Sequence, residues 1–447
     1  MRERASGHAD GVRTWGLDFG TSNTSLAVRD GASARVLPID PLSGATMPTI
    51  LYVRRDGSTL VGRPAIDGYL SDQRERGPVR RQVKLLGIRM ASSDNKAAQE
   101  VQAHILADVD SPGRLFRSLK SFLATPLDSP TSVFGTPTSL TALVAKILEH
   151  VRERARELTG ATPAAIRIGR PVEFVGGSAG ETLAVSRLEE AAHLAGFEEV
   201  AFEQEPVAAA RAADVGEGHS LVFDFGGGTL DLCVAERSGR DVRIVATAGR
   251  GVAGDRFTQT LIDLVVAPRL GAGATWGPKR LHLPAFITNA IADWQALSAL
   301  NEKPILDALD DLIRAGAPKR ELSALRSAIE LQLGYEIFAA VDAAKIDLST
   351  DETAFLTLHR ADVDIDAVLS RRRFEVRSAP LLAEIDALLS EVLARASLTS
   401  DRVREVVMTG GSSGLPSARA LLERRFPDAV RRDFAAFSSV ATGLALG

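Results

Sequence analysis

The sequence predicts an α/β protein made of two similar lobes. A strand hairpin with an Asp-Phe-Gly turn occurs twice, as WGLDFGTSNTSLAV (15–28) and as LVFDFGGGTLDLCV (221–234). The copies lie roughly two hundred positions apart, which is too far for a solenoid repeat and suits two lobes that face one cleft. Apolar strands alternate with amphipathic helices between the copies, as in α/β folds. The length of 447 residues also exceeds what one compact core supports.

The composition excludes several classes of partner. Hydrophobic residues make up 45% and charged residues 25% of the chain, which is typical of a globular protein. With 53 basic and 57 acidic side chains, neither nucleic acid nor a membrane is expected as a partner. The single cysteine, Cys233, rules out an intramolecular disulfide and fits a reducing, cytoplasmic compartment. Residues 1–12 lack the apolar core of a signal peptide and are expected to form a disordered leader.

Local patterns predict the elements of the first half in order. After the first hairpin, ARVLPI and TILYVRRDGSTLVG are typical of short strands, whereas residues 63–110 give few periodic signals. A long helix is predicted from Thr138 or Ser139 to Gly160, because its aliphatic residues share one face. A strand AAIRIGRPVEF, a helix over 181–196, a strand VAFEQ and a helix PVAAARAA follow.

The second half begins with the second hairpin and continues with the strand DVRIVATA and the helix DRFTQTLIDLVV. Residues 284–345 are predicted to be mostly helical. Strands return at TAFLTLHRADVDI, and a long helix is predicted over 379–396. The segment REVVMTGGSSGLPSARALLERRF predicts a strand, a glycine turn and a helix.

The glycine turns are candidates for phosphate binding. Gly226, Gly227 and Gly228 weaken a strand, so they either form a plain hairpin turn or let backbone amides approach an anion. The second copy of the hairpin favours the anion, because two such turns could hold a polyphosphate from opposite sides. Asp18 and Asp224, which precede the turns, could then hold water ligands of Mg²⁺.

Other motifs are less informative. GRGVAG (249–254) matches a dinucleotide fingerprint but lacks the acidic residue expected roughly 20 positions later. No P-loop occurs, and DFG occurs twice without a kinase catalytic loop. A third glycine turn, TGGSSGLP (409–416), either caps a helix or lets a flat nucleoside lie against the backbone.

The order of these segments resembles the ATPase domain of the seventy-kilodalton heat-shock protein (Hsp70, DnaK-type) family, in the actin and sugar-kinase superfamily. The matching segments are LDFGTSNTSLAV, TMPTILYVRRDGSTLVGRPA, FEQEPVAAA, LVFDFGGGTLDL, VAGDRF, AAKIDLS and TGGSSGLP. The resemblance implies a two-lobed actin-like ATPase fold in which each lobe is a mixed, ribonuclease-H-like sheet flanked by helices. Lobe I would comprise 13–217 and 432–447, and lobe II 218–431. A short YegD-like branch without a peptide-binding domain is expected.

The resemblance also implies the site residues. Asp18, Asp224 and Asp231 would lie at the Mg²⁺ ion, and Lys120 and Glu205 would join Asp18 and Asp224 in catalysis. ATP or ADP would contact a larger set of residues. These are Gly20, Thr21, Ser22, Asn23, Gly226, Gly227, Gly228, Thr229, Gly254, Asp255, Asp342, Lys345, Ser349, Gly410, Gly411 and Ser412.

Two features of this sequence leave choices open. The lysine beside the γ-phosphate is either Lys84 in VKLLGIR or Lys120 in SLKSFLA, and the spacing of the YegD-like branch favours Lys120. Two arginines that the family places beside adenosine are replaced by Ile346 and Gly414. Their loss would remove on the order of 1 kcal/mol of stacking each, which implies weaker or altered binding of the base.

The expected function is slow ATP hydrolysis by in-line attack of water, with an unknown protein partner or client. One alternative is a module in which ATP acts mainly as a conformational ligand. A filament-forming protein and a small-molecule kinase are less favoured, because Glu205 stands where the actin branch has glutamine and no sugar-binding signature occurs.

Overall fold

The computed structural model describes residues 13–75, 81–90, 99–108, 112–125, 130–174, 180–239, 241–301, 303–434 and 438–447. The expected leader, residues 1–12, lies outside the described residues. The strands are β1 (Thr14–Phe19), β2 (Asn23–Asp30), β3 (Ser33–Leu37), β4 (Met47–Pro48), β5 (Ile50–Arg54), β6 (Thr59–Val61), β7 (Arg81–Met90), β8 (Gln99–Asp108), β9 (Gly113–Arg117), β10 (Thr131–Val133), β11 (Thr136–Thr138), β12 (Ala165–Arg170), β13 (Glu199–Gln204), β14 (Gly218–Phe225), β15 (Leu230–Ser238), β16 (Asp241–Arg250), β17 (Thr275–Trp276), β18 (Leu281–His282), β19 (Thr353–Arg360), β20 (Val363–Ser370), β21 (Val403–Thr409) and β22 (Val430–Asp433).

The helices are α1 (Arg63–Glu75), α2 (Leu140–Thr159), α3 (Glu181–Leu194), α4 (Glu205–Ala213), α5 (Gly254–Leu261), α6 (Ala267–Arg269), α7 (Ala285–Ile291), α8 (Trp294–Ala299), α9 (Lys303–Arg314), α10 (Lys319–Glu330), α11 (Gly334–Thr350), α12 (Arg371–Arg395), α13 (Pro416–Arg425) and α14 (Ser439–Leu446). Short 3₁₀ turns cover Leu119–Phe122, Ser400–Arg402 and Gly411–Gly414, and a π-helical turn joins α5 to α6. No helix among the described residues is long and apolar enough to span a bilayer.

Two mixed sheets with the same strand pattern form the centre of the protein. The first has the order β13–β12–β1–β2–β3, with β4 paired to β2, and the second has the order β16–β15–β14–β21–β22. In each sheet, three neighbouring strands are antiparallel, namely β3, β2 and β1 in the first and β16, β15 and β14 in the second. The two remaining strands lie beyond β1 or β14 and run parallel to it. The two hairpins that repeat in the sequence therefore occupy equivalent places in equivalent sheets.

Most predicted elements are confirmed, with two differences. Helix α2 begins after Ser139, whose side chain accepts a hydrogen bond from the Ala142 amide, and ends at Gly160. Residues 63–110, which show few periodic signals, contain α1, β7 and β8. Helix α12 begins at Arg371 rather than at 379, because its buried face continues through Pro380 from Phe374 to Leu381.

Each sheet has an apolar core on its outer face. The core of the first sheet includes Leu17 and Phe19 and extends into α2 and α3. The core of the second includes Phe223, Phe225 and Phe257, whose rings pack edge to face, and extends into α12. Burial on one face fixes the strand register, so the alternate side chains of the same strands point to the opposite face.

Helices α4 and α14 lie between the two sheets. A buried cluster joins Ala208 and Ala209 of α4 to Val222 and Val407 of the second sheet, and to Leu444 of α14. On its other side, α14 packs against β1 and β2 of the first sheet. The last helix of the chain therefore returns from the second sheet, where β22 ends at Asp433, to the first.

A second contact between the halves lies away from these helices. Tyr69 of α1 packs against Trp294 of α8, with ring centroids 6.3 Å apart. The Tyr69 hydroxyl donates a hydrogen bond of 3.2 Å to the Gln332 side chain. The guanidinium of Arg117 lies 5.3 Å from the ring centroids of both Trp294 and Phe338. The halves are thus joined by an aromatic contact as well as by packed helices.

We expect Gly443→Ala to destabilise the protein. A Cβ at Gly443 would lie 1.7 Å from the carbonyl oxygen of Ala208, so α14 and α4 would have to separate. Overpacking of this kind costs roughly 1–3 kcal/mol. The melting temperature should fall by several degrees. Gly414→Ala is the control, because a Cβ there meets no atom within 4 Å. Equal melting temperatures for Gly443→Ala and wild type would contradict the described packing.

Candidate functional site

A cavity of about 270 Å³ lies between the two sheets, at the ends of β1 and β14. Segments from both halves of the chain form its walls. The lining residues are Asp18, Gly20, Thr21, Ser22, Asn23, Thr24, Ser25, Lys120, Glu205, Asp224, Gly226, Gly227, Gly228, Thr229, Asp255, Asp342, Lys345, Ile346, Gly410, Gly411, Ser412, Ser439 and Val440. Its volume is near the lower end of the range for small-molecule sites.

The two glycine turns face each other across this cavity. Each turn is closed by a backbone hydrogen bond, from Gly20 to Asn23 at 2.9 Å and from Gly226 to Thr229 at 3.0 Å. A Cβ at Gly227 would lie 2.5 Å from Oγ of Ser22. The turns can therefore approach this closely only because the second one is built from glycine.

The carbonyl groups of the second turn are already bound. The amide of Gly254, the first residue of α5, donates to the Gly226 carbonyl at 3.1 Å, and Asp255 donates to Gly227 at 2.9 Å. Among the described residues, the amides of Gly227 and Gly228 donate to no other backbone group. These amides are consequently available to an anion in the cavity.

A buried ion pair forms the floor of the cavity. Nζ of Lys120 donates to Oε1 of Glu205 at 2.5 Å, and the side chains are 5% and 9% exposed. Glu205 is the first residue of α4, and Lys120 lies in the 3₁₀ turn after β9. Since a buried charge is stable only when it is paired, this contact explains how both ionic groups are held inside the protein.

Three aspartates surround this pair and bring an excess of acid groups. Burial and the charge of Glu205 raise the pKa of Asp18 to about 7. The same causes raise the pKa of Asp231 to about 7 and that of Asp224 well above its usual value. Burial lowers the pKa of Lys120, but Glu205 and Asp18 outweigh it, so the pKa of Lys120 is raised. The protein therefore supplies too little positive charge at this site to balance the acid groups.

The opposite end of the cavity carries a second polar group. Nζ of Lys345 donates to Oδ1 of Asp342 at 2.6 Å and to Oγ1 of Thr258 at 2.8 Å. Ile346 beside them is 61% exposed, so this end of the cavity is open to solvent on one side. The third glycine turn contributes Ser412, whose hydroxyl donates to the Gly226 carbonyl at 2.7 Å.

Most residues expected at the site line the cavity, and three lie behind its wall. The carboxylate of Asp231 is buried and accepts the Val172 amide at 2.8 Å. Gly254 supports the second turn, as described above. The hydroxyl of Ser349 donates to the Lys345 carbonyl at 3.4 Å. Lys84 lies in β7, and its side chain is outside the described part of the structure.

Several lining residues had no assigned role in the sequence. These are Thr24, Ser25, Ser439 and Val440. Ser25 is opposite Asp18 in the β1–β2 register, so the hairpin motif contained a signal for it. Ser439 begins α14 and reaches the cavity only because that helix returns to the first sheet.

Comparison with known families identifies the chain. A model of the Hsp70 protein family matches residues 14–269 and 328–447. The chain belongs to the Hsp70 family. The match includes both glycine hairpins, the Lys120–Glu205 pair and the third glycine turn, and it supports an Hsp70-like, ATP-binding protein. The mixed sheets flanked by helices confirm the expected actin-like ATPase fold. Residues 270–327, which include Trp294, fall outside the match.

The cavity has the oxygen ligands and the hydrogen-bond donors that an Hsp70 family member needs to bind Mg²⁺ and nucleotide. Asp18 and Asp224 offer half-buried carboxylate oxygens that line the cavity, the ligand type that Mg²⁺ and its bound waters prefer. The free amides of Gly227 and Gly228 suit phosphate oxygens. Glycine at 228 also lets the first turn approach the second, because a Cβ there would lie 2.7 Å from Oγ1 of Thr21. The residues therefore fit the group that the family implies.

Asp231→Asn is expected to stabilise the protein at pH 8 and to change little at pH 4. Because folding raises the pKa of Asp231 from 3.8 to about 7, the folded state keeps a proton that the unfolded chain releases. Stability therefore falls as the pH rises between these values. Asparagine avoids this loss, and its Oδ1 can still accept the Val172 amide. Without added nucleotide, the melting temperature at pH 8 should rise by roughly 2 °C or more. A lower value at pH 8 would show that the charged carboxylate stabilises the fold.

Proposed function

We propose that this protein is an ATPase that binds Mg-ATP between two lobes and hydrolyses it by in-line attack of water. One observation carries the proposal: the buried Lys120–Glu205 pair lies in the same cavity as Asp18, Asp224 and two facing glycine turns. Lobe I would comprise 13–217 and 432–447, and lobe II 218–431. The proposal includes a cytoplasmic location and a protein partner or client that responds to lobe closure.

The phosphates would lie between the two glycine turns. Amides and hydroxyls of 20–23 would contact them from one side, and those of 226–229 from the other. When bound, Mg²⁺ would neutralise part of the phosphate charge. Asp18 and Asp224 would hold its water ligands, and Asp231 would support this group from behind while bound to the Val172 amide.

Lys120 and Glu205 would act on the γ-phosphate and the attacking water. In the structure Lys120 and Glu205 bind each other, so each neutralises the charge of the other. An arriving γ-phosphate offers Lys120 a more highly charged partner, and Glu205 is then left to orient a water and accept its proton. Because the pair must separate before Glu205 can act, slow turnover is expected.

The nucleoside would lie at the end of the cavity that Asp342, Lys345 and Ile346 form. Gly254, Asp255, Ser349 and the turn Gly410–Ser412 would complete this end. Asp342 and Lys345 are positioned to bind hydroxyls of the sugar. The exposed Ile346 offers only an apolar surface to the base, so affinity for adenine would be modest.

A second candidate function uses the same site. Nucleotide binding would change the arrangement of the lobes, and hydrolysis would be negligible. The aromatic contact between Tyr69 and Trp294 favours this candidate, because it gives the halves a defined closed arrangement that a ligand could stabilise. The rate of hydrolysis distinguishes the two functions.

Glu205→Gln should reduce ATP turnover by about 10²-fold or more, since an amide accepts no proton from water. Nucleotide affinity should change little, because Glu205 would contact the water rather than the phosphates. Single-turnover hydrolysis and calorimetry with ADP measure the two quantities. Glu203→Gln is the matched control, because Glu203 pairs with Arg211 outside the cavity. Unchanged turnover in Glu205→Gln would exclude the ATPase mechanism and favour the second candidate.

Trp294→Ala should accelerate release of ADP. The contact of Trp294 with Tyr69 and Arg117 must separate if the halves open, and its loss lowers that barrier. An aromatic contact worth ~1 kcal/mol corresponds to a roughly fivefold faster rate. Stopped-flow release of a fluorescent ADP measures it. Phe286→Ala is the control, because Phe286 belongs to the same unmatched segment but is exposed. Equal release rates for Trp294→Ala and wild type would show that this contact does not limit opening.

A further inference from the structure

A serine beside Asp18 has a buried hydroxyl without a partner. Ser25 of β2 lies directly opposite Asp18 of β1. Residues that face each other across an antiparallel pair have side chains on the same side of the sheet. Ser25 is 2% exposed and lines the cavity. Its Oγ is buried and forms no hydrogen bond within the described residues.

Packing does not explain this hydroxyl. Positions 16 and 27 share its side of the first sheet and are Gly16 and Ala27, because α14 packs closely there. An alanine at position 25 would satisfy the same need for a small side chain. It would also avoid the destabilisation that a buried, unpaired hydroxyl causes. We therefore expect the Ser25 hydroxyl to bind something that enters the cavity.

Two other serine hydroxyls of the cavity already have protein partners. The Ser439 hydroxyl lies 2.5 Å from that of Thr409. The Ser412 hydroxyl donates to the carbonyl of Gly226. Both serines can therefore be explained by the fold alone. Ser25 differs from them, since the fold supplies nothing for its hydroxyl to bind.

The position of Ser25 identifies what it can reach. β1 has β2 on one edge and β12 on the other. Glu205 lies over β12, where its Cγ would be 3.1 Å from a Cβ at Gly169. Asp18 is consequently flanked by Glu205 on one side and by Ser25 on the other. The Ser25 side chain is thus separated by one strand from that of Glu205 and lies on the same side of the sheet as the Asp18 carboxylate.

We propose that Oγ of Ser25 accepts a hydrogen bond from a cation-bound water whose second O–H group is donated to Asp18. The inference rests on the proposed function and concerns only the water beside Asp18. A water that binds a cation through its oxygen has two O–H groups to donate, and it is best held by two acceptors. A carboxylate and a hydroxyl on adjacent strands supply them on one side of the sheet. Ser25 is a positioning residue, which acts through this water.

Ser25→Ala tests the proposal by two measurements that do not depend on turnover. Without nucleotide, the melting temperature should rise by roughly 2 °C, because an unpaired buried hydroxyl is removed. In calorimetry with ADP, the gain in affinity that Mg²⁺ provides should fall roughly 5- to 10-fold. The affinity for ADP in EDTA should stay within about twofold of the wild-type value.

Thr24→Val is the matched control. Thr24 is the preceding residue of β2, and its buried hydroxyl lies 2.8 Å from that of Thr49. Removing it breaks a buried hydrogen bond, so the melting temperature should fall. A similar fall for Ser25→Ala would overturn the proposal, because Ser25 would then have a partner in the protein. An unchanged Mg²⁺ effect in Ser25→Ala would overturn it while the proposed function stands. A wild-type protein that binds no Mg-ADP would overturn both.

Discussion

The close approach of two glycine turns is the constraint on which this site depends. Gly227 and Gly228 lie so near Ser22 and Thr21 that neither position has room for a Cβ. Because each turn ends the central hairpin of its own sheet, this approach sets the distance between the two sheets at the cavity. It also brings two carboxylates, Asp18 and Asp224, to the same buried space.

Bringing the acid groups together has an electrostatic consequence. Burial and the charge of Glu205 raise the pKa of Asp18, Asp224 and Asp231, and the charge of Asp231 adds to this effect at Asp18 and Asp224. Lys120 offsets only part of this charge, since it is bound to Glu205. The excess of acid groups therefore favours binding of a cation together with an anion over binding of an anion alone. Helix α4 begins with Glu205 and packs between the sheets, so a change in their arrangement would reach the Glu205 carboxylate directly.

Sequence reasoning recovered the parts of this site whose signal is local. Glycines within a strand pattern have few explanations, and their repetition with Asp18 and Asp224 predicted two similar lobes. The structure contains two sheets with the same strand pattern. Signals that depend on distant packing were missed. Ser439 joins the cavity through the return of α14. Ser25 was missed although its signal is local, because it faces Asp18 across the β1–β2 hairpin. The predicted start of α12 at 379 was wrong. Pro380 is typical of the first turn of a helix, but here the buried face begins at Phe374 and the helix continues through Pro380. Spacing favoured Lys120 over Lys84, but its contact with Glu205 depends on the fold and had no signal in the sequence.

The central claim is that both glycine turns hold the same triphosphate. A crystal structure of the chain with Mg²⁺ and a non-hydrolysable ATP analogue tests it most directly, because it reports the partner of every phosphate oxygen. The account predicts phosphate oxygens within hydrogen-bonding distance of both turns, with the cation and its waters between Asp18 and Asp224. Phosphates bound to only one turn, or a nucleotide bound outside this cavity, would contradict it.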